Sequence, residues 1–447
     1  MTLEMQSLDL LSEVVAHLDA GFAHLPALDS APDMDAMRGV LLEVAERMRD
    51  NYPYPHPLYA GQMLKPPHPV ARLAYVLSLW INPNNHALDG GRASSAMEKE
   101  AVAELAGIFG WQTHLGHLCG GGTMANLEAL WVAGRLRPGQ KVVASQQAHY
   151  THSRISEVLQ LPYASVPCNS RAQMDLAALE EMLKQGDIGT VVATMGATAT
   201  GAVDPLPGLL ELQARYGFRI HADAAYGGYY SLVENLRPES AAAYASLGRV
   251  DSLVIDPHKH GLQPYGCGCV LFQDPAVGAL YQHDSPYTYF SSAELHLGEI
   301  SLECSRAGAS AVALWSTQRL LPPVRGGEFA GMLARCREAA LRLADKIAGD
   351  DGWMLAFDPE LDIVVWAERG TKASEISRRS KAIFEAAAAQ DLHLAVATFP
   401  AGLLAGRWPD VVWDQPTVAC LRSCLMKAEH LDWVEEIWVR LMRASCL

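Results

Sequence analysis

Between residues 70 and 320 the chain switches repeatedly between two hydrophobic textures, and that alternation limits its fold more than any other feature. The runs KVVAS at 141–145, TVVATMG at 190–196, FRIHAD at 218–223, DSLVID at 251–256 and CGCVLF at 267–272 have strand length and are largely apolar. Stretches with apolar residues three and four apart lie among them, at 97–109, 124–135, 175–185 and 205–216. A strand without strict polar alternation is buried on both faces, and a helix between two such strands makes them parallel. The expectation is an α/β fold with a mainly parallel sheet and helices on both faces.

After LPPVRGGEF at 321–329 the pattern changes. A long helix (331–348), a strand (361–366), a helix (373–390), strands near 393–398 and 417–423 and a last helix (430–442) predict a smaller α+β domain. At the other end, Leu8, Leu11, Val15 and Leu18, then Met37, Val40, Leu41, Val44 and Met48, predict helices whose apolar stripe needs a partner surface. Prolines at 53, 55, 57, 66, 67 and 69 predict a rigid extended loop or linker, because proline fixes φ and removes a donor. The expected division is an N-terminal helical arm with its proline-rich segment (1–69), a large domain (70–325) and a small C-terminal domain (326–447).

Composition removes several function classes. Lys plus Arg total 35 against 50 Asp plus Glu, a net charge of −15, the opposite of a nucleic-acid binder. No apolar run reaches the roughly 18 residues a membrane helix needs, and the acidic, periodic start predicts no signal peptide. Nine cysteines, odd in number and scattered, predict no disulfide framework and a reduced, cytoplasmic protein.

Reactive groups in open α/β sheets gather where strands end and helices begin. In GHLCGGGTMANLEAL (116–130), Gly120, Gly121 and Gly122 precede Thr123 and a helical run, a phosphate cradle or a plain capped turn. In HADAAYGG (221–228), Asp223 is a partner for a buried cation or an ordinary cap. In DSLVIDPHKHGLQPYGCG (251–268), Lys259 stands between His258 and His260 in a crowded loop, a Schiff-base lysine or a surface one. In SQQAHYTHSR (145–154), His149 lies just past a strand, catalytic or structural. The pairs His114/His117, His149/His152, His258/His260 and Cys267/Cys269 lack regular zinc spacing, so no metal centre is expected.

In this order, the glycine turn with Thr123, the strand-end His149, Asp223 in DAAYGG and Lys259 in DPHKH resemble the group II pyridoxal-5′-phosphate-dependent amino-acid decarboxylases, of fold type I in the aspartate-aminotransferase superfamily. ASSAMEKEAVAELAGIFGW (93–111), MGATATGAVDP (195–205) and SRAGASAVALW (305–315) extend the resemblance over roughly residues 50–320. It implies that Lys259 holds the cofactor covalently and that Asp223 keeps the pyridine nitrogen protonated. His149 is implied to stack on the ring, and Gly121, Gly122, Thr123 and His258 to reach the phosphate. Thr198 would lie near the ring hydroxyl, with Ala225 packed under the ring. The implied reaction is α-decarboxylation of an L-amino acid to its amine and carbon dioxide, in a homodimer with its active site at the subunit interface. The alternative is a sister enzyme that gives an aldehyde, by aldehyde-lyase chemistry or by oxidative decarboxylation–deamination.

The chain also departs from the pattern. Many relatives carry a protonating tyrosine on a long loop before the SR motif. Here that stretch is short and offers His296, or the earlier Tyr287 or Tyr289, as substitutes. Ala197 replaces a commoner hydroxyl residue beside Thr198. The resemblance makes His56, Tyr59, Gln62 and His86 candidate pocket residues. Arg306 and Arg422 are the candidate charged anchors, each also readable as a structural ion-pair partner.

Overall fold

Seven short strands frame the first half of the protein: β1 (Leu115–Cys119), β2 (Lys141–Ser145), β3 (Tyr163–Val166), β4 (Ile188–Thr194), β5 (Arg219–Asp223), β6 (Ser252–Ile255) and β7 (Gly268–Phe272). In the computed structural model, which describes residues 5–26, 32–282 and 295–446, they form one sheet in the order β1-β7-β6-β5-β4-β2-β3. The pairs β6–β5, β5–β4, β4–β2 and β2–β3 are parallel. β7 runs antiparallel to both neighbours, β6 and β1.

Burial follows strand position. Every residue of the inner strands β4, β6 and β7 is buried, as the uniform apolar runs require. The two edge strands are β1 and β3, and in β3 only Val166 is fully buried. Neither edge stands out in the hydrophobic pattern, because LGHLC and YASV are half-wet and short. β7 is antiparallel because the chain returns to it from β6 through residues 256–267 without a crossover helix. That return loop, at the carboxyl end of β6, carries Lys259.

A second sheet, all antiparallel, has the order β10-β11-β9-β8, with β8 (Trp353–Leu355), β9 (Ile363–Glu368), β10 (Ala395–Pro400) and β11 (Thr417–Cys424). Helices 328–348, 373–388 and 430–445 belong to this half, and the first buries one continuous stripe that includes Phe329, Leu333, Ala340, Leu343 and Ile347. The change of texture at residue 325 falls in the turn between helices 309–320 and 328–348.

The proline-rich stretch turns at 54–58 rather than running extended, and it is not a free linker. The Ala60 amide donates to His393 O at 2.9 Å, and the Cys424 amide donates to Ala60 O at 2.7 Å. The buried Lys427 ammonium donates to Tyr59 O at 2.6 Å. Proline's missing donors leave the carbonyls of this segment as its main handles, and the second sheet takes them. Ahead of it, helices 5–20 and 34–48 bury no residue at all. Among the described residues no helix is long and apolar enough to cross a membrane.

Candidate active site

One cavity of about 360 Å³ opens at the carboxyl ends of the parallel strands, a size usual for small-molecule sites. Its floor and walls come from the loops after β1, β2, β4, β5 and β6. Gly121, Gly122, Thr123, His149, Thr198, Asp223, Ala225, His258 and Lys259 all line it, although they come from five separate stretches of chain.

The glycine turn is built to bring backbone close. Gly121 has φ +147°, and a Cβ there would lie 3.0 Å from His258 Cε1. A Cβ on Gly122 would lie 2.7 Å from Asp256 Oδ2 and 3.3 Å from the Ala225 Cβ. Helix 122–136 starts here without a side-chain cap. Its first amide bonded back is that of Ala125, to Gly121 O at 3.0 Å, so the amides of Gly122, Thr123 and Met124 sit at a free helix end. Free N–H groups with the positive end of the helix dipole make an anion site that needs no lysine, which suits an acidic protein.

Across the cavity, Asp223 ends β5 and is 7% exposed. Its Oδ1 accepts from the Ala225 amide at 3.2 Å, and its Oδ2 is 2.8 Å from His152 Nε2. Burial works against its charge; the His152 hydrogen bond and the nearby Lys259 ammonium outweigh that and hold the carboxyl below the usual carboxylate range. His149 lies on the same helical entry, its Nδ1 accepting from the Thr151 amide at 3.3 Å. Burial pushes the His149 imidazole down, with Asp223 opposing and Lys259 assisting, so the ring is neutral at pH 7.

Lys259 reaches the cavity from the β6–β7 loop, with its side chain 22% exposed. Its Nζ lies 3.1 Å from Asp256 Oδ2. His258 stands beside it: its Nε2 is 3.5 Å from Asp256 Oδ2, its Nδ1 accepts from the Cys267 amide at 3.3 Å, and its ring packs on Tyr265 with centroids 4.8 Å apart. Burial lowers the His258 pKa as well. Asp256 Oδ1 and Thr194 Oγ1 are buried polar atoms without a partner among the described residues, and both residues line the cavity. A cradle that side chains would fill, free helix amides, an amine, a buried carboxylate and orphaned polar atoms in one cavity fit pyridoxal 5′-phosphate.

The other residues named from the sequence go elsewhere. Arg306 is 8% exposed and pairs with Glu98 at 3.0 Å, while also donating to Leu118 O. Arg422 donates through all three guanidinium nitrogens to backbone carbonyls: to Ala199 at 3.2 Å, Gly61 at 3.0 Å and Thr198 at 2.6 Å. It therefore ties β11 to the loop that carries Thr198. His296 is fully buried, and its Nδ1 accepts from the Leu88 amide at 3.1 Å. His86 packs on Gly298, whose amide donates to His86 O at 2.9 Å. His56 sits against Trp433, 4.8 Å between ring centroids, and Tyr59 packs with Tyr52, Tyr54 and His393. None of these six lines the cavity of its own chain. Tyr287 and Tyr289 lie outside the described residues.

Sequence reasoning passed over Asp256 and gave His152 only a place in a histidine pair. Both had a positional signal. Asp256 is three residues before Lys259, and His152 is one helical turn past His149.

The fold and this site define a pyridoxal-phosphate-dependent enzyme of fold type I. Residues 67–368 match the pyridoxal-dependent decarboxylase conserved domain, and the chain belongs to that family. It is 27% identical over 388 residues to the L-tyrosine decarboxylase of Levilactobacillus brevis, covering 64% of this chain and 62% of that protein. A probable L-aspartate decarboxylase of Halobacterium salinarum is 32% identical over 307 residues, covering 68% of this chain and 81% of that one. The crystal structure of Oryza sativa TDC with PLP and tryptamine superposes with a TM-score of 0.78 at 18% identity, covering 99% of this chain and 96% of that chain.

Proposed function

We propose that this protein decarboxylates an L-amino acid at its α-carbon, releasing the amine and carbon dioxide. The observation that carries the reading is the single cavity in which Lys259, Asp223, His149 and the Gly121–Thr123 turn converge. When bound, pyridoxal 5′-phosphate supplies an aldehyde for an amine to attack and a protonated pyridine ring that accepts the electron pair left by the departing carboxylate.

The amides of Gly122, Thr123 and Met124 bind the phosphate, and the Thr123 hydroxyl adds a donor. Asp223, anionic in a desolvated site, holds a positive charge at the far end of the cavity. His149, whose ring lines the cavity, would cover the cofactor ring, and the small Ala225 would leave room for it. Lys259, its Nζ 3.1 Å from Asp256 Oδ2, presents the amine that would hold the cofactor and return a proton. Arg422 acts at one remove, by fixing the backbone of Thr198 and Ala199.

The same reading includes the division near residue 325 and a homodimer. Helix 34–48 presents Met34 (67% exposed), Leu42 (62%) and Val40 (61%) to solvent, and helix 5–20 presents Met5 and Leu10. Covering such faces with a second copy would remove this apolar surface from water, the main driving force for association. All nine cysteines are free, which agrees with a cytoplasmic location.

The test follows carbon dioxide release from L-tyrosine and L-aspartate, the substrates named for the relatives, and then from the other common amino acids. Amine with carbon dioxide supports the reading, and an aldehyde product overturns it in favour of the sister chemistry. Lys259→Ala should abolish the visible absorbance of the bound cofactor, and colour that survives dialysis in that variant would contradict the role of Lys259.

A further inference from the structure

We propose that His152 is a positioning residue that donates a hydrogen bond from Nε2 to Asp223 Oδ2 and so holds that carboxylate charged and correctly turned for the cofactor ring. This inference rests on the functional reading above and adds a residue to it.

The geometry selects the donor. His152 has no solvent exposure, and its Nε2 lies 2.8 Å from Asp223 Oδ2. Its Nδ1 is buried with no hydrogen-bond partner among the described residues, so Asp223 is the one group this ring addresses. A carboxylate oxygen can only accept, so the proton of this hydrogen bond sits on Nε2 and His152 is the donor.

The site needs such a donor. Asp223 Oδ1 has the Ala225 amide at 3.2 Å, and without His152 its Oδ2 would face a low-dielectric interior with no protein donor. A carboxylate so placed takes up a proton, because burial penalises the charged form. A neutral carboxyl no longer balances a pyridinium.

The other groups around Asp223 do not replace His152. His221, two residues earlier on β5, is committed to Asn126 Oδ1 at 2.8 Å and Ser252 Oγ at 2.9 Å. Burial pushes His221 down to about 3, so it is neutral. Lys259 is paired with Asp256, and His149 accepts from the Thr151 amide. β4 and β6 flank β5, and opposite Asp223 they offer Thr194 and Val254, neither titratable.

The experiment measures the dissociation constant of pyridoxal 5′-phosphate from the full-length protein by equilibrium dialysis at pH 6 to 9. It compares wild type with His152→Leu, which lacks a donor, and His152→Gln, whose amide nitrogen keeps one. Circular dichroism checks folding, and if the Leu variant does not fold, His152→Met replaces it. We expect the apolar variant to bind about ten- to a hundredfold more weakly, the loss of one hydrogen bond to a charged group. The deficit should grow as pH falls, and Gln should restore most of the affinity and flatten the pH profile. Wild-type affinity in the apolar variant at every pH, or a Gln variant as impaired as the apolar one, would overturn the proposal. If wild-type protein itself fails to bind the cofactor, the functional reading fails first, so the two failures are distinguishable.

Discussion

Replacing Arg306 with methionine separates a structural role from a substrate-binding one. Its guanidinium and the Glu98 carboxylate are 3.0 Å apart, with side chains 6% and 2% exposed. Glu98 also accepts from Asn85 Nδ2 at 2.6 Å and from the Leu118 amide at 2.9 Å, so it joins the 84–98 region to β1 and to the 301–308 turn. The Arg306→Met side chain would keep most of the volume but leave a buried carboxylate without its counter-charge, a change that costs about 3–5 kcal/mol. At roughly 2.1 cal/mol/K of unfolding entropy per residue, a chain this long loses about 1 °C of Tm per kcal/mol, so Tm should fall by about 3–5 °C. Thermal unfolding followed by circular dichroism reads this directly, and steady-state kinetics at a permissive temperature gives KM. Adding Glu98→Gln to Arg306→Met should recover part of the loss, because the stranded charge is then gone. If Arg306→Met leaves Tm within about 1 °C of wild type while KM rises about tenfold, the buried-pair reasoning is refuted and Arg306 is a substrate anchor.

Gly122→Ala should weaken cofactor binding about tenfold or more, since its Cβ would meet Asp256 Oδ2 at 2.7 Å and overpacking costs about 1–3 kcal/mol; unchanged affinity would show that the cradle is not the binding surface. Lys427, pushed down to about 7 from 10.5 by burial, binds a proton in the unfolded chain but not in the folded one between those values. Stability should therefore rise with pH over that window, and urea midpoints at pH 7 and 9 should show this slope in wild type but not in Lys427→Met. Arg422→Met should raise KM for substrate and weaken cofactor binding together, by releasing the Thr198 and Ala199 carbonyls; a change in neither would confine Arg422 to holding Gly61. Sedimentation should find a dimer, and a stable, active monomer would contradict the covering of helices 5–20 and 34–48 by a second copy.

Local chemistry accounts for what was readable in advance. Apolar runs at 141–145, 190–196, 218–223, 251–256 and 267–272 marked the inner strands because a strand buried on both faces has little choice of side chain. The edge strands 115–119 and 163–166 escaped, because an edge tolerates polar residues and loses the pattern. Gly121, Gly122, Thr123, His149, Asp223 and Lys259, which line the cavity, were readable because each lies in a short motif at a strand end, where glycine, proline and small residues mark a turn.

The amino-acid order alone thus settled the α/β architecture and many, though not all, of the residues that line the cavity, since both depend on neighbours a few positions apart. Folding decided the partners. Only the fold brings His152 of helix 151–158 to Asp223 at the end of β5, and only the return of β11 gives Arg422 three carbonyls to hold. Arg306 and Glu98 are 208 positions apart, and no spacing in the chain announces that they share one buried pocket. A hydrogen bond acts over about 3 Å whatever the distance along the backbone, so which charged side chain serves structure and which serves chemistry is a property of the folded chain.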